Sequence, residues 1–120
     1  MDESKPEVPR VLVVEDEAIL RHVLRSLLEE KGCHVDIAGS AEEGAEMLGQ
    51  ASFDVALFDI VLPGRDGFSL LDHVKGTWPS TEVVMMTSQG SIETAMRALR
   101  SGAYDYVLKP FEDVEDIDER

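Results

Sequence analysis

The chain has 120 residues, 43% of them apolar, and 25 acidic residues against 11 basic ones give it a formal charge of −14. That length suits one domain with a single core, and no apolar run or N-terminal pattern marks a membrane span or signal peptide, so the chain reads as soluble and cytoplasmic. The negative field argues against direct nucleic-acid binding, and the single cysteine, Cys33, rules out an internal disulfide and has no zinc-ligating companion.

Residues 1–9 are polar, contain two prolines and read as a flexible leader. Val11-Leu12-Val13-Val14 is an unalternated apolar run, the mark of a strand buried on both faces, and it ends in Glu15-Asp16-Glu17. Leu20, Val23, Leu24, Leu27 and Leu28 form a helical stripe that Gly32 closes. Cys33, Val35 and Ile37 alternate with His34 and Asp36, which predicts a half-exposed strand at a sheet edge. Ser40-Ala41-Glu42-Glu43 is a capping box opening a second helix, with Ala41, Ala45 and Leu48 inward. Val55-Ala56-Leu57-Phe58-Asp59 is a third strand, closed by Pro63-Gly64, and Asp66 caps a third helix carrying Leu70, Leu71 and Val74. Val83 to Met86 is a fourth strand ending at Thr87. Ser91 caps a fourth helix with Ile92, Ala95, Met96 and Leu99, and Tyr104 to Leu108 is a fifth strand ending at Lys109-Pro110. Met85, Met86 and Met96 read as core; His22, His34 and His73 read as solvated.

Five βα repeats with short loops give an α/β fold, a doubly wound parallel sheet with helices on both faces. In such sheets the strand carboxyl ends share one rim, where ligands bind. Here the rim receives Glu15 and Asp16, then Asp59, Thr87 and Lys109. Asp59 alone is either a loop cap or a chemically used group. With three carboxylates and one amine together, mutual repulsion calls for a hard divalent cation, and carboxylate, carbonyl and water ligands suit Mg²⁺. A cation, an ammonium, a hydroxyl and a free carboxylate are also the parts of a phosphoryl-transfer site, in which an aspartate can be the nucleophile.

The paired acids after the first strand, the Asp-x-x-x-Pro-Gly-x-Asp-Gly run from Asp59, the Thr87 strand end and Lys109-Pro110-Phe111 resemble a response-regulator receiver domain. The segment from Gly90-Ser91-Ile92-Glu93-Thr94-Ala95 to Phe111 is most similar to receivers of NtrC-like transcriptional activators. The resemblance covers roughly Arg10 to Phe111. It implies a flavodoxin/CheY-like sheet of strand order 2-1-3-4-5, a receiver domain over residues 10–120, and a phosphoacceptor role for Asp59. It implies Asp16, Asp59 and the Val61 backbone carbonyl as Mg²⁺ ligands, with Glu15 acting through water. Lys109 and Thr87 would meet the phosphoryl oxygens, Tyr106 would be the aromatic switch, and the Lys109–Pro110 peptide would be cis. Implied partners are a sensor histidine kinase, an output module absent from this chain, and a second copy in a phosphorylation-dependent homodimer.

Ala18, Ile19, His22, Pro110 and Phe111 are candidates for the kinase-docking patch, with Ile19 equally readable as a flank of the core. After Phe111 only nine residues remain, six of them acidic, so the fifth helix is expected to be short or truncated. A haloacid-dehalogenase-like phosphatase would need a second acid where Val61 stands, and no GxGxxG or GxxxxGK[ST] run marks a nucleotide site. The alternative that survives is a receiver-like interaction scaffold that is never phosphorylated.

Overall fold

The computed structural model describes residues 8–88 and 92–109. Strands β1 (Arg10–Val14), β2 (His34–Ala38), β3 (Val55–Asp59), β4 (Glu82–Thr87) and β5 (Asp105–Leu108) alternate with helices α1 (Ala18–Glu30), α2 (Ala41–Gln50), α3 (Gly67–Thr77) and α4 (Ile92–Arg100). All neighbouring strands are parallel, and the order is β2-β1-β3-β4-β5. This is the doubly wound arrangement that the sequence pattern predicts, with β2 at an edge. The fifth helix, the cap at Ser91 and the Lys109–Pro110 peptide fall outside the described residues.

The uninterrupted apolar runs are explained by the two faces they must fill. Val11 and Val13 point to one side, where Leu20 and Leu24 of α1 cover them with Val35 and Met86. Leu12, Val14, Ala56, Phe58, Val83 and Met85 point to the other, against Leu48 of α2 and Leu70, Leu71 and Val74 of α3. Alternate residues of one strand thus enter two separate cores, and neither face can be polar.

Local signals set the helix ends. The Ser40 hydroxyl accepts from the Glu43 N–H at 3.1 Å, while the Glu43 carboxylate accepts from the Gly39 N–H at 2.8 Å, one residue earlier than the usual reciprocal partner. Asp66 caps α3 by accepting from the Ser69 N–H at 2.8 Å. Gly32 and Gly102, at φ 95° and 106°, take the left-handed turns after α1 and α4.

Helix α4 departs from the expected stripe. Met96 is 46% exposed and Ile92 and Leu99 more so, whereas Ala98 is fully buried. Ala98 is thus the α4 residue that faces the core, and the larger apolar side chains are turned outward. Arg97, on the same helix, places its guanidinium 3.9 Å from the centre of the Phe68 ring of α3. His73 is also not simply solvated: it stacks on Trp78 at 5.3 Å between ring centroids, and its Nδ1 lies 3.0 Å from an Arg65 guanidinium nitrogen. Trp78 closes α3 just before β4 begins, at the end of the sheet opposite Asp59, so it is poorly placed to sense a cation at the rim.

Candidate functional site

The register of the sheet brings the expected groups together. Val14 pairs with Phe58, Asp59 with Met86 and Thr87 with Leu108, so β1, β3, β4 and β5 end at one level. The Lys109 N–H donates to the Thr87 carbonyl at 2.8 Å, which carries the lysine past the end of β5 and over the rim. There Lys109 Nζ lies 2.6 Å from Asp59 Oδ2 and 3.2 Å from Glu15 Oε1.

Each acid has a different setting. Asp59 is 5% exposed, and its Oδ1 accepts from the Val61 N–H at 3.0 Å. The Val61 side chain points outward, so its backbone serves the site and its isopropyl group does not fill it. Glu15 is wholly buried, its Oε2 accepting from the Glu17 N–H at 3.0 Å. Asp16 is exposed at the mouth. One carboxylate oxygen from each of the three lies within 4.8 Å of the other two.

The electrostatics follow from this crowding. Burial pushes the Glu15 carboxyl above its ordinary value; the Glu17 N–H and Lys109 pull it back without cancelling the rise, and the Asp59 charge adds to it. Burial also works to lower the Lys109 ammonium, but the hydrogen bond and charge of Asp59, followed by those of Glu15, outweigh it and hold the lysine above its usual value.

The donor set fits a hard divalent cation on grounds internal to the site. Among the described residues, Lys109 offsets the charge of Asp59 and Glu15 while Asp16 stands beside them, and buried Glu15 Oε1 has no hydrogen-bond partner despite its nearness to Lys109. Hard oxygen ligands with an open mouth for water are what Mg²⁺ takes.

One consequence is measurable without any metal. A carboxyl raised on folding contributes stability below its unfolded pKa and loses that contribution as pH rises through its folded pKa. In chelator at neutral pH, Glu15→Gln is therefore expected to stabilise the domain by about 1 kcal/mol, because the amide oxygen can keep the Glu17 N–H while Asp59 keeps Lys109. Urea unfolding against pH reads both the gain and the lost pH slope; a destabilised variant would count against this account.

Thr87 is 7% exposed at the end of β4, beside Lys109 in the ladder. Tyr106 is half-buried against the larger core, and its buried hydroxyl has no hydrogen-bond partner among the described residues. Its ring is thus both a core group and one with an unfulfilled polar end. Ala18, Ile19 and His22 line an apolar groove on α1 with Val23 and Leu27, and Ile19 is 81% exposed. Pro110 and Phe111 lie outside the described residues.

Gly67 is a site residue whose spacing alone gives no sign of its role. An added Cβ there would overlap the Asp59 carbonyl oxygen and come within 2.8 Å of Ile60 Cα and 3.0 Å of Ile60 O. Its N–H donates to the Ile60 carbonyl at 2.6 Å. The first residue of α3 therefore rests directly on the backbone that presents Asp59.

Residues 11–120 match the response regulator receiver domain family. The chain is 38% identical over 103 residues to the two-component response regulator PhoP of Pseudomonas aeruginosa, covering 86% of this chain and 46% of that protein. A CheY-like receiver domain from Methanospirillum hungatei JF-1 superposes with a TM-score of 0.81 at 33% identity, covering 94% of this chain and 93% of the other. The beryllofluoride-activated NtrC4 receiver domain dimer gives 0.80 at 36% identity, covering 92% and 90%. The chain spans less than half the length of the curated relatives it matches.

Proposed function

Because the chain belongs to the response regulator receiver domain family, we propose that Asp59 accepts a phosphoryl group from the phosphohistidine of a sensor histidine kinase. The observation that carries this is the Asp59 carboxylate itself, fixed by Lys109 on one oxygen and by the Val61 N–H on the other. An Asp59 oxygen attacks phosphorus, the P–N bond breaks, and its electron pair leaves with the imidazole nitrogen, which then takes a proton. Lys109 stands where it can neutralise charge on the transferring oxygens, and Thr87 is the hydroxyl at the same rim.

Asp16 and Asp59 would hold Mg²⁺, with the Val61 carbonyl as a further ligand and Glu15 acting through water. When bound, the cation supplies neutralisation of phosphoryl charge and a template for in-line approach. The aspartyl phosphate carries about two negative charges, and it shifts the domain only as far as it interacts differently with two pre-existing states. Tyr106 is the side chain suited to report that shift, since its hydroxyl gains a partner by leaving the core. The exposed surface of α4 and β5 would carry the change to a second copy or to an output module, for which a transcription activator is the reading favoured by the likeness to proteins named as transcriptional regulators.

The test is phosphotransfer from a panel of autophosphorylated histidine kinases in Mg²⁺ and in chelator, read as an acid-labile mass gain. A Mg²⁺-dependent gain on the wild-type chain is expected. None from any kinase or from a small acyl phosphate would favour the unphosphorylated scaffold. Ile19→Glu, on the exposed α1 groove, is expected to slow kinase transfer about tenfold or more while leaving small-molecule phosphorylation unchanged; equal transfer rates in a folded variant would remove α1 from the docking surface.

A further inference from the structure

We infer that Arg21 is a positioning residue for the cation: its guanidinium straps the acidic β1–α1 loop so that Glu15 and Asp16 are presented towards Asp59. The inference rests on the Mg²⁺-binding reading above. Arg21 Nη1 donates to the Glu15 backbone carbonyl at 2.7 Å, a short, charge-assisted bond. The Glu15 N–H donates to the Ala38 carbonyl at 3.0 Å, the last bond joining β1 to β2. Glu15 is thereby held at its amide, its carbonyl and its side chain, and the carbonyl restraint comes from Arg21.

The strap matters because the loop has little else on its helical side. The Glu17 side chain makes no cap hydrogen bond to α1. The Arg21 N–H donates to the Glu17 carbonyl at 2.9 Å, so backbone and side chain of this one residue grip both ends of Glu15-Asp16-Glu17. The guanidinium is itself fenced in by the chain after β2: a Cβ built on Gly39 would stand 3.1 Å from Arg21 Nη1. A residue outside the acidic cluster thus sets where two of its carboxylates point, as groups behind metal ligands commonly do.

Two simpler roles predict different results. A cation merely close to an acidic site repels Mg²⁺, so its removal should tighten metal binding. A purely structural arginine should lower the unfolding midpoint and leave the affinity of the folded domain alone. Positioning predicts weaker binding by a folded domain. Arg21→Ala is therefore expected to raise the Mg²⁺ dissociation constant about tenfold by calorimetric titration of the folded chain. Small-molecule phosphorylation should show a matching rise in the Mg²⁺ concentration for half-maximal rate, with the rate at saturating Mg²⁺ within about twofold of wild type.

Arg21→Lys, which keeps a donor on a shorter reach, should recover part of the affinity. Gly39→Ala, which crowds the guanidinium without touching Glu15, Asp16 or Asp59, should weaken Mg²⁺ binding in the wild-type background and add nothing to Arg21→Ala. Should Arg21→Ala fail to fold, Gly39→Ala and Arg21→Lys still decide the matter. Unchanged or tighter Mg²⁺ binding in the folded variants overturns the inference. Because the titration needs no phosphoryl donor, a chain that binds Mg²⁺ through this strap yet never accepts phosphate would refute the phosphoacceptor reading while leaving Arg21 its role.

Discussion

Asp59→Asn is expected to abolish acid-labile phosphorylation, with a fall of at least about 1000-fold in the rate of label uptake, since an amide is neither a competent nucleophile nor able to give an acyl phosphate. The fold should survive the change. The amide oxygen can still accept from the Val61 N–H, and Lys109 retains Glu15 at 3.2 Å. The choice of Asp59 among three acids is a matter of access and restraint. Glu15 is completely buried, with one oxygen committed to the Glu17 N–H, so a phosphoryl donor cannot reach it. Asp16 is reachable, but Lys109 makes its close contacts with Asp59 and Glu15. Only Asp59 combines an opening to the rim with a lysine at 2.6 Å. Label that persists in Asp59→Asn and vanishes in Asp16→Asn would transfer the role to the neighbouring acid. Label that persists in both would end the assignment.

The site was legible in the sequence because its members are strand ends. An apolar run that must fill two cores ends where the core ends, so the first polar residue after Val14, Phe58 and Met86 is forced onto one rim, and the register of β5 against β4 brings Lys109 to the same level. Helix α4 was legible as a helix but not in its orientation. Its large apolar residues Ile92, Met96 and Leu99 read as the buried stripe, whereas Ala98 is the residue that packs inward. Arg21, and the role of Gly67 although it closes the run from Asp59, stayed hidden for a different reason. Their roles consist of contacts with main-chain atoms of Glu15, Asp59 and Ile60, and a backbone atom leaves no trace in residue type. The Thr81 hydroxyl, buried and donating to the Phe53 carbonyl at 2.8 Å, escaped in the same way.

Gly67→Ala is the substitution expected to do the most damage to the fold for the least change in chemistry. Its φ is not in the left-handed region, so the need for glycine is one of space rather than of backbone freedom. The atoms an added methyl would strike are all main chain, at the end of the central strand, and none can swing aside as a flexible side chain would. Overpacking of this kind costs about 3 kcal/mol where the backbone itself must move. The movement has a direction: α3 must withdraw from Asp59-Ile60, loosening the 2.6 Å bond from the Gly67 N–H to the Ile60 carbonyl and shifting the Val61 N–H off Asp59. Lower stability should therefore come with weaker Mg²⁺ binding in whatever fraction remains folded. Gly76, on the same helix, is the control, because a Cβ there meets nothing within 4 Å among the described residues. Gly76→Ala should stabilise by up to about 1 kcal/mol through helix propensity alone. Opposite signs from one chemical change at two turns of α3, read by urea unfolding, would show that the helix start is fitted to the end of β3. Equal signs would mean that the β3–α3 junction has slack, and that Asp59 is held by its own hydrogen bonds and not by the helix resting on it.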